Sequence, residues 1–348
     1  MPTIIHNTTI VTADEQCTVH DAAAIAIAED RIAAIGPNAE LLARYPTAER
    51  IDGRGKAVMP GFANVHTHFG LTLARGIYED LSPSHTPPFE GGLAPLPLPP
   101  LSQEERQVMC QLGMLEAICS GTTLVLEDAV GISHYAEALE ASGLRALLCE
   151  RAWDRTQAGI GQPGPFHADA ALAEQGLMRI EALHTRWHGK SNGRIHVGLA
   201  AWAPDMCSPA LLRDLRTLQE RLDVPATVHL NQIWGEVAAV QSQRGVLPTE
   251  YLAHCDFLSD RLIAAHCRCM TPDEERLLGT SGATVAFNAA IAARRGLSPR
   301  IADLEAYGCT IALGTDNMAE DMVEVMRTAL FMERVRRQDG RHPTPEEV

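Results

Sequence analysis

Two histidines stand two residues apart in Met59-Pro60-Gly61-Phe62-Ala63-Asn64-Val65-His66-Thr67-His68. Side chains at i and i+2 of a strand point to one side, so His66 and His68 can grip a single cation together. With 14 His among 348 residues, such a pair alone signifies little. Three later apolar runs, however, also end on ligand types: Thr227-Val228-His229, Ile263-Ala264-Ala265-His266 and Ile311-Ala312-Leu313-Gly314-Thr315-Asp316. Nitrogen and oxygen donors closing four separate apolar runs are hard to explain as packing. Neutral imidazoles with one carboxylate suit a borderline ion such as Zn²⁺, and an open coordination position lets a bound water ionise near neutral pH. Asp316 beside that water can take its proton and pass it to a departing nitrogen or halide. His266 would orient the attacking oxygen or stabilise charge developing on the carbon under attack.

Parallel strands ending on one rim would bring these donors together. Residues 1–56 read as a small β module, with strands at Thr3 to Ile5, Ile10 to Thr12, Ala23 to Ala28 and Arg31 to Ile35. From Val58 onward, apolar runs of strand length alternate with longer amphipathic stretches, the signature of βα units. Strands are expected at Ala57 to Met59, Thr122 to Glu127, Arg145 to Cys149, Ile195 to Ala200, Ala226 to Leu230, Leu262 to Ala265, Thr284 to Phe287 and Thr310 to Leu313. Together they predict an α/β fold, a TIM (β/α)₈ barrel over residues 57–348, in which catalytic groups sit at the C-terminal ends of strands. His66, His68, His229, His266 and Asp316 all fall there. The proline-rich stretch 80–100 leaves the first barrel strand on this face and reads as either a substrate-covering lid or a surface loop.

Composition excludes several classes of partner. A formal net charge of −15, from 29 Lys+Arg against 44 Asp+Glu, repels phosphate backbones and anionic lipid, arguing against nucleic acid and membrane partners. No run approaches the length of a membrane span, and the N-terminus lacks the basic region and apolar core of a signal peptide. Nine cysteines, an odd number without CxxC pairs, fit reduced thiols in the cytoplasm.

The segments PGFANVHTH, VHLNQIWGEV, IAAHCRCMTPDEERLLGTSGATVAF and IALGTDNMAEDMVEVMRTA resemble the amidohydrolase superfamily, in the branch of cytosine, guanine and S-adenosylhomocysteine deaminases and triazine chloro- and aminohydrolases. The resemblance covers almost the whole chain. It implies a metal-dependent hydrolase of C–N bonds other than peptide bonds, with one divalent metal per chain, Zn²⁺ first and Fe²⁺ as the alternative. Counterparts of His66, His68, His229 and Asp316 would hold the ion, with His266 close by. The substrate would be a small nitrogen heterocycle (pyrimidine, purine, pterin or triazine-like) that releases ammonia or an amine. Cyclic-amide (imidazolone-type) hydrolysis, dechlorination and a catalytically silent metal-binding homologue are the alternatives. A homodimer is also implied.

Departures from the branch concentrate where substrate would sit. Deaminases usually carry His-x-x-Glu on the fifth strand, whereas this chain has His229-Leu230-Asn231-Gln232. Gln232 cannot transfer a proton but can hydrogen-bond a ring or carbonyl, which would leave proton transfer to Asp316. Imidazolonepropionases can show Gln there. Glu236 is the alternative acid, although in the family it looks structural. The second His beyond the sixth strand is replaced in His266-Cys267-Arg268-Cys269, the His-Cys-Pro motif by Phe287-Asn288-Ala289, and Ala-Pro-His by Ala203-Pro204-Asp205. Asn288 and Asp205 are candidate substrate hydrogen-bonders, and Trp202 and Trp234 candidate stacking surfaces. Cys267 and Cys269 read as packing thiols rather than soft ligands. Thr344-Pro345-Glu346-Glu347 signals a helix start with no helix behind it. Relatives continue beyond this point, completing the barrel's outer layer and a composite β-sandwich, so the chain reads as a fragment.

Overall fold

The computed structural model describes residues 1–75, 100–156 and 159–348. They form two compact units, Met1–Gly61 and Phe62–Val348. In the first, β1 (Thr3–Val11), β2 (Val19–Ala28), β3 (Arg31–Pro37) and β4 (Glu49–Asp52) lie in the order β3-β2-β1-β4, and β5 (Ala57–Val58) also pairs with β1. The two short strands expected before residue 12 are one strand, whose register shifts between Ile5 and Thr8, where Asn7 adopts φ 56°.

Ala57 to Met59 was expected to open the barrel, and the structure corrects this. Ala57 and Val58 pair in parallel with Thr9 and Ile10, and Val58 packs on the small cluster of Ile10, Ala23 and Ile25. Pro60 has no N–H to continue a ladder, so a new strand begins beyond it.

That strand is β6 (Phe62–Thr67), followed by β7 (Thr122–Ala129), β8 (Arg145–Ala152), β9 (Ile195–Ala201), β10 (Ala226–Leu230), β11 (Leu262–His266), β12 (Thr284–Phe287) and β13 (Thr310–Leu313). All neighbouring pairs are parallel and lie in chain order, the pattern of a βα barrel. Strand β10 is buried along its whole length, which explains why its residues read as an unbroken apolar run and not as an alternating one. The outer helices carry the expected single apolar stripe. Pro209–Leu222, for example, is capped by the Ser208 side chain accepting from Leu211 N, and buries Leu211, Leu212, Leu215 and Leu218. The lid expected over 80–100 lies outside the described residues except for Pro100.

First and last strands meet through a bridge between Thr67 and Asp316, with Asp316 N donating to the His66 carbonyl at 2.9 Å. Behind the bridge lies Glu320. Thr67 Oγ1 donates to its Oε1 at 2.7 Å, while Thr315 Oγ1 and Asn64 Nδ2 donate to its Oε2 at 2.7 and 3.0 Å. The following helix starts at Met322, where the Asp321 side chain accepts from Val323 N and Glu324 N, freeing Glu320 to turn inward. Glu320 is 2% exposed, and burial pushes its carboxyl up to about 8 against the pull of the Thr67 and Thr315 hydroxyls. The folded protein thus holds a proton that the unfolded chain, with a Glu near 4.3, has already lost, so this group makes stability fall as pH rises through that window. Glu320→Gln is therefore expected to lose less stability than wild type between about pH 5 and pH 8, measured by urea unfolding.

Candidate active site

The strand ends assemble four histidines and one aspartate. Ligand atoms of His66, His68 and His229 lie within 4.8 Å of one another, as do those of His66, His266 and Asp316, and all five residues are buried. His66 belongs to both trios, and neither of its ring nitrogens has a hydrogen-bond partner among the described residues. His68 Nδ1 meets the Asp128 carbonyl at 2.6 Å and His229 Nδ1 meets the Trp202 carbonyl at 2.9 Å. A carbonyl only accepts, so each Nδ1 carries a proton and Nε2 is the nitrogen of each ring that is turned toward the pocket as a prospective metal ligand. Burial drives His66, His229 and His266 well below the ordinary histidine range, with help from neighbouring imidazoles for all three, Arg151 for His66 and His229, and Arg268 for His229 and His266. Neutral, desolvated imidazoles with one carboxylate fit a divalent ion.

Asp316 faces both trios, with Oδ1 3.5 Å from His68 Nε2 and Oδ2 3.7 Å from His266 Nδ1. Asn288 Nδ2 donates to His266 Nδ1 at 3.1 Å, which puts the His266 proton on Nε2. The backbone here is strained: Asn231, His266, Cys267 and Asp316 all have positive φ, at 49°, 81°, 51° and 60°. Non-glycine residues take this conformation at a cost of about 1–3 kcal/mol each, and such outliers gather at functional sites. Gly314 cannot be otherwise, since a Cβ there would run into Asn288 Oδ1 and lie 2.9 Å from His66 Cβ.

The remaining expected site residues divide. Gln232 follows His229 at the rim, and its Oε1 is buried without a partner among the described residues. Glu236, in the helix Trp234–Arg244, is committed to the backbone, accepting from Asn231 N at 2.8 Å and Gln232 N at 2.7 Å. Trp202 stands between Arg151, whose guanidinium carbon is 5.4 Å from its ring centre, and Trp153, centred 5.3 Å away. Trp234 packs on an apolar cluster of Ile160, Ala203, Met206 and Ile233. Asp205 is wholly buried and turned to a loop: its Oδ2 accepts from Gly161 N at 2.7 Å and lies 3.5 Å from Arg155. Cys267 and Cys269 are buried thiols outside both donor trios. A cleft of about 600 Å³ opens beside His68 and Asp128, with Arg151, His134, Gln107 and Tyr135 in its wall.

A model of the amidohydrolase family matches residues 57–348. The chain belongs to this family. A bacterial imidazolonepropionase-like composite domain also matches residues 23–48. The chain is 33% identical over 333 residues to a 5-methylthioadenosine/S-adenosylhomocysteine deaminase of Nitratidesulfovibrio vulgaris, covering 92% of this chain and 69% of that one. An enzyme of the same name from Desulforudis audaxviator is 31% identical over 324 residues, covering 90% and 70%. A zinc-bound adenosine deaminase from Xanthomonas campestris superposes with a TM-score of 0.75 at 23% identity, over 97% of this chain and 75% of the other, a likeness of fold.

In this amidohydrolase the groups that sequence reasoning missed stand one layer behind the donors. Asp128 Oδ1 accepts from Arg151 Nε at 3.0 Å, and its Oδ2 lies 3.4 Å from His229 Nδ1, while its carbonyl fixes His68. Beside it, Glu127 accepts from Phe69 N and from the Tyr135 hydroxyl at 2.5 Å, and burial lifts it to about 8. The adjacent acids at the end of the second barrel strand were the available signal. Asp128→Asn keeps the carbonyl that meets His68 but removes the charge that faces His229 and pairs with Arg151, so it is expected to weaken affinity for added Zn²⁺ by up to roughly tenfold, measured by competition with a chromophoric chelator.

Proposed function

We propose that this amidohydrolase is a metal-dependent aminohydrolase that replaces an amino group on a nitrogen heterocycle with oxygen. The observation that carries the reading is the pair of donor trios sharing His66, at the strand ends and next to an open cleft. Its relatives named as deaminases support it. His66, His68, His229 and Asp316 would hold one divalent ion, with Zn²⁺ favoured over Fe²⁺ by three imidazoles and one carboxylate. When bound, the metal supplies a water acidic enough to attack at neutral pH.

The chain's own groups supply the rest. The water oxygen bonds to the ring carbon that bears the amino group, and Asp316 takes up one of the water's protons. Asp316 then delivers this proton to the amino nitrogen, the C–N bond breaks, and ammonia leaves. The second proton stays with the product, which settles as a ring carbonyl. His266, with its proton on Nε2 through Asn288, donates to the attacking oxygen and holds it in line. Gln232 binds the ring, and Trp202 walls the site. Asp205 shapes the neighbouring loop, a role inferred from its bonds to Gly161 and Arg155 in place of direct substrate contact. Trp234 is assigned to the apolar wall.

A second reading is cyclic-amide opening. It is favoured by Gln232 at the position of the usual acid and by the match of residues 23–48 to an imidazolonepropionase-like domain. Ammonia release identifies the first chemistry; a new carboxylate without ammonia identifies the second. The proposal extends to a cytoplasmic enzyme, consistent with seven buried free thiols, and, through the family resemblance, to a homodimer. No helix among the described residues is long and apolar enough to cross a membrane.

The direct test is elemental analysis of the purified protein, with ammonia release measured against aminated pyrimidines, purines, pterins and triazines. About one metal per chain with ammonia release supports the aminohydrolase, and turnover unaffected by complete metal removal overturns it. Asp316→Asn is expected to lower kcat by roughly 10²–10⁴-fold while the protein stays folded by circular dichroism. Metal content measured on the same sample separates lost proton transfer from lost metal.

A further inference from the structure

The loops after β10 and β11 are laced together. The Leu230 carbonyl accepts from Cys267 N at 2.9 Å, and the Asn231 carbonyl accepts from Arg268 N at 3.0 Å and Cys269 N at 2.9 Å. This brings the backbone of Arg268 beside the Asn231–Gln232 segment, two residues past His266. Arg268 is 7% exposed, and its Nε and Nη1 have no hydrogen-bond partner among the described residues. Gln232 Oε1 is likewise buried and unmatched. A guanidinium donor and an amide acceptor, both desolvated and not bonded to each other, are costly to keep in a folded protein unless a ligand completes them. The cation also bears on the reacting groups: it lowers His229 and His266, and Asp316 is the strongest of the charges that counter the effect of burial on the guanidinium.

We infer that Arg268 and Gln232 together read a lactam edge, so that the substrate is an aminated heterocycle carrying a ring N–H next to a ring carbonyl. The carbonyl oxygen accepts from the Arg268 guanidinium, and the ring N–H donates to Gln232 Oε1. This rests on the aminohydrolase reading and deepens it. The logic also accounts for Gln232. A glutamate beside a buried arginine would pair with it and close both groups to substrate, whereas a neutral amide leaves the cation available. In place of an acid that moves a proton to a bare ring nitrogen, the site offers a fixed acceptor to a ring that already carries its proton.

The test uses matched probes, isocytosine against 2-aminopyrimidine and guanine against 2-aminopurine, the first of each pair having the lactam and the second lacking it. For metal-loaded wild type, kcat/KM for ammonia release and the dissociation constant from equilibrium dialysis are measured with each. Wild type is expected to prefer the lactam member roughly tenfold or more, because the analogue leaves a buried charged donor unmatched. Arg268→Met should bring that ratio close to one, and Arg268→Lys, which keeps the charge without the planar donors, should restore part of it. A merely structural role would lower both members of a pair alike and leave the ratio unchanged, which overturns the inference, as does the absence of a lactam preference in wild type. Failure of the aminohydrolase reading looks different: no ammonia from any probe, with the Arg268-dependent preference still present in the dissociation constants. If Arg268→Met does not fold, the Arg268→Lys ratio decides, and a value equal to wild type in both measurements overturns the inference.

Discussion

The structure turns on the desolvation of imidazoles. His66, His229 and His266 are drawn into one buried pocket where a protonated ring would be a charge without water. Neutrality fixes how each ring is used. Two backbone carbonyls, from Asp128 and Trp202, accept from Nδ1 of His68 and His229, turning the Nε2 of each side chain toward the pocket. These carbonyls sit at the ends of β7 and just beyond β9, so the tautomers depend on barrel register. A one-residue slip of either strand would replace a carbonyl acceptor and reverse every side chain on that strand. The left-handed residues at Asn231, His266, Cys267 and Asp316 follow from the same demand, because the chain must turn sharply there to keep its donors in the pocket.

Around this pocket one device recurs. Carboxylates buried behind the rim accept from backbone amides in the loops that follow the strands. Glu127 holds Phe69 after β6, Glu150 holds Gly131 and Ile132 after β7, and Glu236 holds Asn231 and Gln232 after β10. Each loop thus begins from a clamped amide, so the side chains leaving it start from a defined position. These acids make few contacts with the cleft, yet they account for much of the precision with which a site built on loops is held.

The barrel was legible because a parallel sheet covered on both faces forces apolar runs, and the runs ending at Leu230, Phe287 and Leu313 match observed strands residue for residue. The donors were legible because a polar ring at the end of a buried run gives up hydration that packing alone does not return. Ala57 to Met59 misled for the same reason that the other runs informed: it is apolar and short, and only the partner strand distinguishes a small-sheet edge from a barrel wall. Glu320 could not be read from sequence, since its importance lies in what approaches it from other strands. Asp205 was read from its place beside a strand end, but its orientation depends on Gly161 and Arg155, far from it along the chain.

The closing contact between the first and last strands has a consequence for biosynthesis. Asn64 and Thr315 are 251 residues apart, yet they bond side chain to side chain within the seam that presents His66 and Asp316. At ribosomal rates of about 5–20 residues per second, tens of seconds separate the emergence of these two segments. During that interval the nascent chain can offer imidazoles but not the Asp316 carboxylate, and no closed wall to exclude water. Under the proposed ligand set, cation capture would therefore be a late event that follows closure of this seam, and free metal would act on the folded site by mass action.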